Sequence, residues 1–450
     1  MRIPTTARHI LTTAFAATAI LLFPAIPAAA QPQTTATWAF EASMGDVSSP
    51  PTVTGRSDGA PERLRMVITR EIPGKPRETL TSTTLEPANS VSQPLPRADK
   101  DAYVDLKLHR DDGSTLPLLH YRALVRPEGM DPMKYEGLPG FEPPDDFDAF
   151  WNRAKAELAA VPMNPVVTRA PDKDTTTGMC FRVDLPTVEE TTVVAWYVVP
   201  KRAFAKDGGA ARRYPAIFSA PGYGGAMKPV DRTAEGYITM NLNPRNHGDS
   251  REYWISPIDH LQYRIDEPER CYYKLAFLDC LRGVEFLMAR PEVDPGRVGV
   301  VGGSQGGLFA VAVAALEPRV ACSVSHVTSW AAFADREYLA LSGTQMRVNK
   351  KLAEAKGTPR EAQIRRTLAL TDAASLATRV RCPLQVNMGG MDTICPWATG
   401  VVVVNRLPEG VRSEFNYFPD TKHNGGPAQP AQMRWLQYFL QPQPEGGSAE

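Results

Sequence analysis

The run Gly302-Gly-Ser304-Gln305-Gly306-Gly307 lies between a β-rich segment, Arg297–Val301, and an apolar segment, Leu308–Ala315. No other stretch of the chain limits the fold so strongly. Residues without bulk two positions either side of a serine let a strand and a helix approach closely. The turn between them then becomes so sharp that the serine takes a strained backbone conformation and presents its hydroxyl. The following helix points N–H groups and the positive end of its dipole at the same spot, where an oxyanion could form. A serine hydroxyl is a poor nucleophile until a base removes its proton, so this context predicts an acid and a histidine downstream, in that order.

His423 occupies the predicted slot, in the loop Pro419–Gly426 after a strand candidate at Ser413–Phe418. His326 falls inside a strand run and reads as a core residue. The acid expected after the preceding strand, Pro383–Met388, is Asp392, at the end of Gly389-Gly-Met-Asp392. It would hold one tautomer of His423 and stabilise the imidazolium. Asp372 and Asp420 compete, the first within a helical stretch and the second crowding His423 in sequence. The Gly-rich loop Ala220–Gly225 follows another strand candidate, and the backbone N–H groups of Tyr223 and Gln305 are the expected oxyanion donors. Trp330 and Phe333, with Tyr223, are bulky candidates for the walls of a small acyl pocket. Arg245, His247 and Asp249 read as an ion-paired, hydrogen-bonded clamp under the active-site loops rather than as a metal site.

From residue 145 to 441, strand and helix patterns alternate, which argues for a mostly parallel sheet with helices on both faces. Further strand candidates are Thr192–Val199, Tyr214–Ser219, Tyr237–Leu242 and Val320–His326. Phe277, Leu281, Val284 and Met288 form a helical stripe, and Asp146–Leu158 is a helix signal carrying Phe147, Phe150 and Trp151. A helical insertion over residues 331–378 stands where hydrolases of this architecture often carry a lid. Residues 31–127 alternate in the β manner between Pro-, Ser- and Thr-rich connectors and read as a small all-β sandwich. Residues 128–144 read as a linker and 442–450 as a flexible tail. The expected class is therefore α/β, an α/β-hydrolase fold preceded by a β-sandwich-like domain.

The first thirty residues have the layout of a secretory leader: a basic start, an apolar run from Ile10 to Phe23, and small residues at Ala28–Ala30. The expected product is a secreted or periplasmic protein cleaved near Ala30. Arg2 and Arg8 are the leader's only charged residues, so 48 basic and 50 acidic residues would remain. That balance gives no electrostatic footprint for nucleic acid or an anionic membrane. Six cysteines without a CxxC pair give no spacing support for a metal site and read as buried small apolar residues.

At Pro143–Trp151, Tyr272–Asp294, Gly302–Gly307 and Asp392-Thr-Ile-Cys-Pro396, the chain resembles the acetyl xylan esterase and cephalosporin C deacetylase family of carbohydrate esterases. The resemblance implies Ser304 as nucleophile, Asp392 as acid, His423 as base, and Tyr223 and Gln305 as oxyanion donors. It implies deacetylation of a small acetylated sugar or oligosaccharide, with no cofactor. The family's Arg-Gly-Gln motif stands here as Arg245-Asn246-His247, its His-Glu as His423-Asn424, and its usual core lacks the β-rich region before Pro127. Two rivals are a secreted peptidase of the prolyl-oligopeptidase type, for whose propeller the N-terminal region is too short, and an inert carbohydrate-binding protein, against which the complete triad argues.

Overall fold

The computed structural model describes residues 38–43, 52–57, 62–71, 78–88, 90–94, 102–110, 121–125, 142–204, 212–331, 343–390, 392, 394–418, 421–423 and 428–441. The leader, the tail and nearly all of the linker expected from the sequence lie outside these residues.

Among the described residues, seven strands precede residue 126: β1 (Trp38–Ser43), β2 (Thr52–Ser57), β3 (Glu62–Glu71), β4 (Glu78–Ala88), β5 (Ser90–Pro94), β6 (Ala102–Arg110) and β7 (Tyr121–Val125). They form two antiparallel sheets, of order β1-β2-β5 and β4-β3-β6-β7.

A nine-stranded sheet carries the rest. Its strands are β8 (Val166–Arg169), β9 (Gly178–Thr187), β10 (Thr191–Pro200), β11 (Tyr214–Ala220), β12 (Ile238–Asn243), β13 (Val293–Gly303), β14 (Cys322–His326), β15 (Leu384–Gly389) and β16 (Ser413–Phe418). The order is β16-β15-β14-β13-β11-β12-β10-β9-β8. Strands from β12 through β16 in this order run parallel, while β10, β9 and β8 add an antiparallel flank. The expected strands are all present and the class is α/β with a mostly parallel sheet. The antiparallel pair β8–β9 was not expected: β8 is short and exposed along its whole length, so no alternating burial marks it.

The parallel strands are buried between helices on both faces. On β14, Cys322 and Val324 pack with Trp435, Leu436 and Leu440 of α8 (Ala428–Leu440). Ser323 and Ser325 point the other way and donate to the carbonyls of Ala310 and Gly307 in α3 (Gln305–Leu316), at 3.1 and 3.0 Å. Beside α3 runs α2 (Tyr272–Ala289), which is buried around most of its circumference rather than along one stripe. The predicted first helix is α1 (Phe147–Ala159); its Trp151 is fully buried and packs against Phe277 with ring centroids 5.7 Å apart.

The insertion forms α4 (Gly343–Ala355), α5 (Pro359–Thr371) and α6 (Ala373–Ala377). It is only partly what a lid would be. Ile364, Leu368 and Leu370 are fully buried, and the Trp151 indole donates to the Leu370 carbonyl at 3.1 Å, so α5 and α6 belong to the core. Among the described residues of the insertion, α4 reaches the Tyr223 turn, where Arg347 donates to the Tyr223 hydroxyl. The six cysteines are buried and none forms a disulfide.

Candidate active site

The carboxyl ends of neighbouring parallel strands form one edge, where ligands of open α/β sheets sit. Ser304 follows β13 with φ 57° and ψ −119°, a region that non-glycine residues rarely occupy. The turn is held by the Ser304 N–H donating to the His326 carbonyl at 2.9 Å. A Cβ on Gly302 would lie 2.0 Å from the Gly306 carbonyl oxygen, and one on Gly306 2.4 Å from that of Ala220. Both obstacles are backbone, so glycine is required for strand and helix to come this close.

From that elbow the Ser304 Oγ lies 3.0 Å from His423 Nε2, and His423 Nδ1 lies 2.8 Å from Asp392 Oδ2. Asp392 is buried, and its other oxygen accepts the N–H groups of Ile394 and Cys395, each at 2.8 Å. The carboxylate is thus fixed, and its remaining acceptor faces the imidazole. This chain of contacts can take a proton from Ser304 and stabilise the charge left on His423. Cys395 also offers a ligand atom, within 4.8 Å of those of Asp392 and His423. The carboxylate and Nδ1 are already engaged in the bonds above, so the cluster fits an acid–base relay better than a metal site.

Gln305 opens α3, so its backbone N–H has no acceptor within the helix. The Tyr223 turn is brought alongside: a Cβ on Gly222 would lie 3.7 Å from the Ser304 Cβ. Both expected oxyanion donors therefore belong to segments that border the serine.

The Gln305 side chain enters a buried network that sequence reasoning missed. Its amide meets His247 Nε2 and His260 Nε2, each at 3.1 Å, and the Tyr273 hydroxyl at 3.4 Å. The Asn246 amide lies 3.1 Å from the other His260 nitrogen, and the His260 ring stacks on Tyr223 at 4.7 Å. His260 thus touches both residues expected to hold the oxyanion. Burial pushes the His260 pKa down to about 4, with the neighbouring His247 adding to the shift. His247 is likewise lowered by burial. Both rings are neutral at neutral pH, as a hydrogen-bonded support between apolar walls requires. His260 opens a single 3₁₀ turn, His260–Gln262, in a segment without periodic patterning, so no sequence signal marked it.

The expected clamp exists, but Asp249 is not the partner of Arg245. Arg245 is fully buried and pairs with the fully buried Asp279 of α2 through Nη2–Oδ1 at 2.7 Å and Nε–Oδ2 at 2.8 Å. The Arg245 backbone N–H donates to the same carboxylate at 3.0 Å. Asp249 instead accepts the Trp196 indole N–H at 2.9 Å. Asp372, a competing acid, caps α6 by accepting the Ala374 N–H at 2.8 Å; Asp420 lies outside the described residues. His326 contacts the Gln432 side chain through Nε2, away from the relay. Trp330 is buried, packs at a tilt against Tyr273 with ring centroids 4.2 Å apart and donates to the Thr371 hydroxyl at 3.1 Å, so it supports the network from behind. Phe333 lies outside the described residues.

Residues 133–439 match the family model of acetyl xylan esterase. The seven N-terminal strands precede that match. An acetyl esterase of Xylanibacter ruminicola is 27% identical over 282 residues, 59% of this chain and 60% of the relative. The match therefore spans about 60% of that relative's length. Acetyl xylan esterase 1 from Thermoanaerobacterium sp. JW/SL YS485 superposes with a TM-score of 0.61 at 24% identity, covering 69% of this chain and 98% of the other. The acetyl xylan esterase from Paenibacillus sp. R4 gives a TM-score of 0.61 at 26% identity over the same shares.

Proposed function

The chain belongs to the acetyl xylan esterase family, and from that premise we propose that it removes acetyl groups from small acetylated sugars and oligosaccharides through an acyl-enzyme on Ser304. The observation that carries this reading is the Ser304–His423–Asp392 relay, at 3.0 and 2.8 Å, on a strained strand-to-helix elbow. Ser304 Oγ attacks the acetyl carbonyl while His423 Nε2 takes its proton. The Tyr223 and Gln305 backbone N–H groups receive the negative charge on the carbonyl oxygen. Collapse of the tetrahedral intermediate breaks the ester bond, and His423 returns the proton to the departing sugar oxygen. Water, activated by the same histidine, then attacks the acetyl-serine and releases acetate. Asp392 keeps Nδ1 protonated and stabilises the imidazolium throughout.

The N-terminal layout supports export as the route to such a substrate, with the leader removed near Ala30. The test of the reading is a substrate panel. Acetyl esters of xylo-oligosaccharides should release acetate, and kcat/KM on synthetic esters should fall from acetyl through butyryl to octanoyl, because each methylene beyond the space available costs roughly 1–3 kcal/mol. A preference for octanoyl esters would move the protein toward lipases, and cleavage of a peptide amide as fast as an acetyl ester would move it toward peptidases.

A further inference from the structure

A second cavity shares walls with the site without containing its reacting atoms. It has a volume of about 510 Å³ and lies between the Tyr223–Ala226 turn and the segment from Asn246 to His260. It shares two walls with the site. Tyr223 forms one wall, and His260, bonded to the Gln305 side chain, forms another. We propose that this cleft seats a pyranose ring on the alcohol side of the ester, with Arg251 as its polar contact. The proposal rests on the esterase reading and assigns the cleft to the leaving sugar rather than to the acyl group.

Size is the first argument. A two-carbon acyl group cannot fill such a volume, which lies in the range of pockets that enclose whole small molecules. Unmet bonding capacity is the second. Arg251 is exposed and makes no hydrogen bond or ion pair among the described residues, leaving its fork of donors open. Ile255 and Ile258 line the same cleft with 55% and 53% of their surface exposed. Apolar patches beside convergent donors suit a sugar ring, which offers C–H faces and equatorial hydroxyls together.

The rim is held in place from the insertion. Arg347 of α4 pairs with Asp259 and donates to the Tyr223 hydroxyl at 3.2 Å. That ion pair engages the Asp259 carboxylate and leaves the Arg251 donors as the open charged group of the cleft.

The experiment compares an acetylated xylotriose with p-nitrophenyl acetate on the full chain, in the wild type, Arg251→Ala and Ala226→Trp. Ala226 lines the cleft and its side chain is exposed, so tryptophan there fills the space without removing a hydrogen-bonding group. Each variant should lower the ratio of kcat/KM on the oligosaccharide to that on p-nitrophenyl acetate at least tenfold, mainly through KM. In a Ser304→Ala background, Arg251→Ala should weaken binding of unacetylated xylotriose by a similar factor. An unchanged ratio in both variants would overturn the subsite while leaving the nucleophile assignment standing. Wild-type protein inert towards p-nitrophenyl acetate would overturn the esterase reading and the subsite with it.

Discussion

His260 makes the stability of the active-site edge sensitive to acid. The ring is 4% exposed, and its pKa falls from the ordinary 6.5 to about 4 in the folded protein. The unfolded chain therefore binds a proton near pH 6.5 that the folded protein resists down to about pH 4. Stability contributed by the neutral ring is fully present above the unfolded value and is lost as pH falls through this window. At 1.36 kcal/mol per unit, the drop amounts to about 3 kcal/mol. His260→Gln keeps an amide against Gln305 without a titratable group. Urea unfolding of both proteins at a series of pH values isolates the term, because acid effects elsewhere cancel in the difference. The wild type should lose about 3 kcal/mol relative to the variant between pH 7.5 and pH 4. Parallel curves for the two proteins would show that His260 is already solvated, and would refute the buried network built on it.

Three further outcomes follow from the same geometry. Asp279→Asn removes the buried, hydrogen-bonded counter-charge of Arg245, leaving only the Glu189 carboxylate 3.9 Å away, and should cost about 3–5 kcal/mol in chemical denaturation; a loss below 1 kcal/mol would mean the pair is hydrated. Asp392→Asn should reduce kcat by on the order of 10⁴, because the amide favours the wrong His423 tautomer. Asp372→Asn, at the cap of α6, should leave turnover near the wild-type value; steady-state kinetics on p-nitrophenyl acetate reads both, and the reverse ranking would reassign the acid.

How much of this was legible in the sequence follows from how local each requirement is. The elbow at Ser304 depends on backbone clearance at Gly302 and Gly306, which the chain declares within five positions. Asp392 and His423 follow strands whose apolar runs are themselves visible, so their order could be read. The partners of Gln305 could not. His260 and Tyr273 come from 45 and 32 residues away: Tyr273 extends the Phe277–Met288 stripe at helical spacing, which marks its burial but not its partner, and His260 lies in no patterned segment. The same distance hides the true partner of Arg245: Asp279 sits in a helix buried on nearly every side, where an acidic residue looks misplaced until its arginine is seen. The insertion reads as helical in sequence, but helical periodicity cannot tell a mobile roof from helices such as α5 that complete the core.

The account's central claim is that Ser304 is the nucleophile. The most direct measurement is labelling with a serine-directed phosphonate, followed by intact mass and peptide mapping. The relay at 3.0 and 2.8 Å predicts a single adduct on Ser304, esterase activity lost in step with labelling, and no adduct in Ser304→Ala or at a rate reduced at least a thousandfold in Asp392→Asn. An adduct on another serine, or Ser304→Ala protein retaining activity within tenfold of wild type, would contradict it.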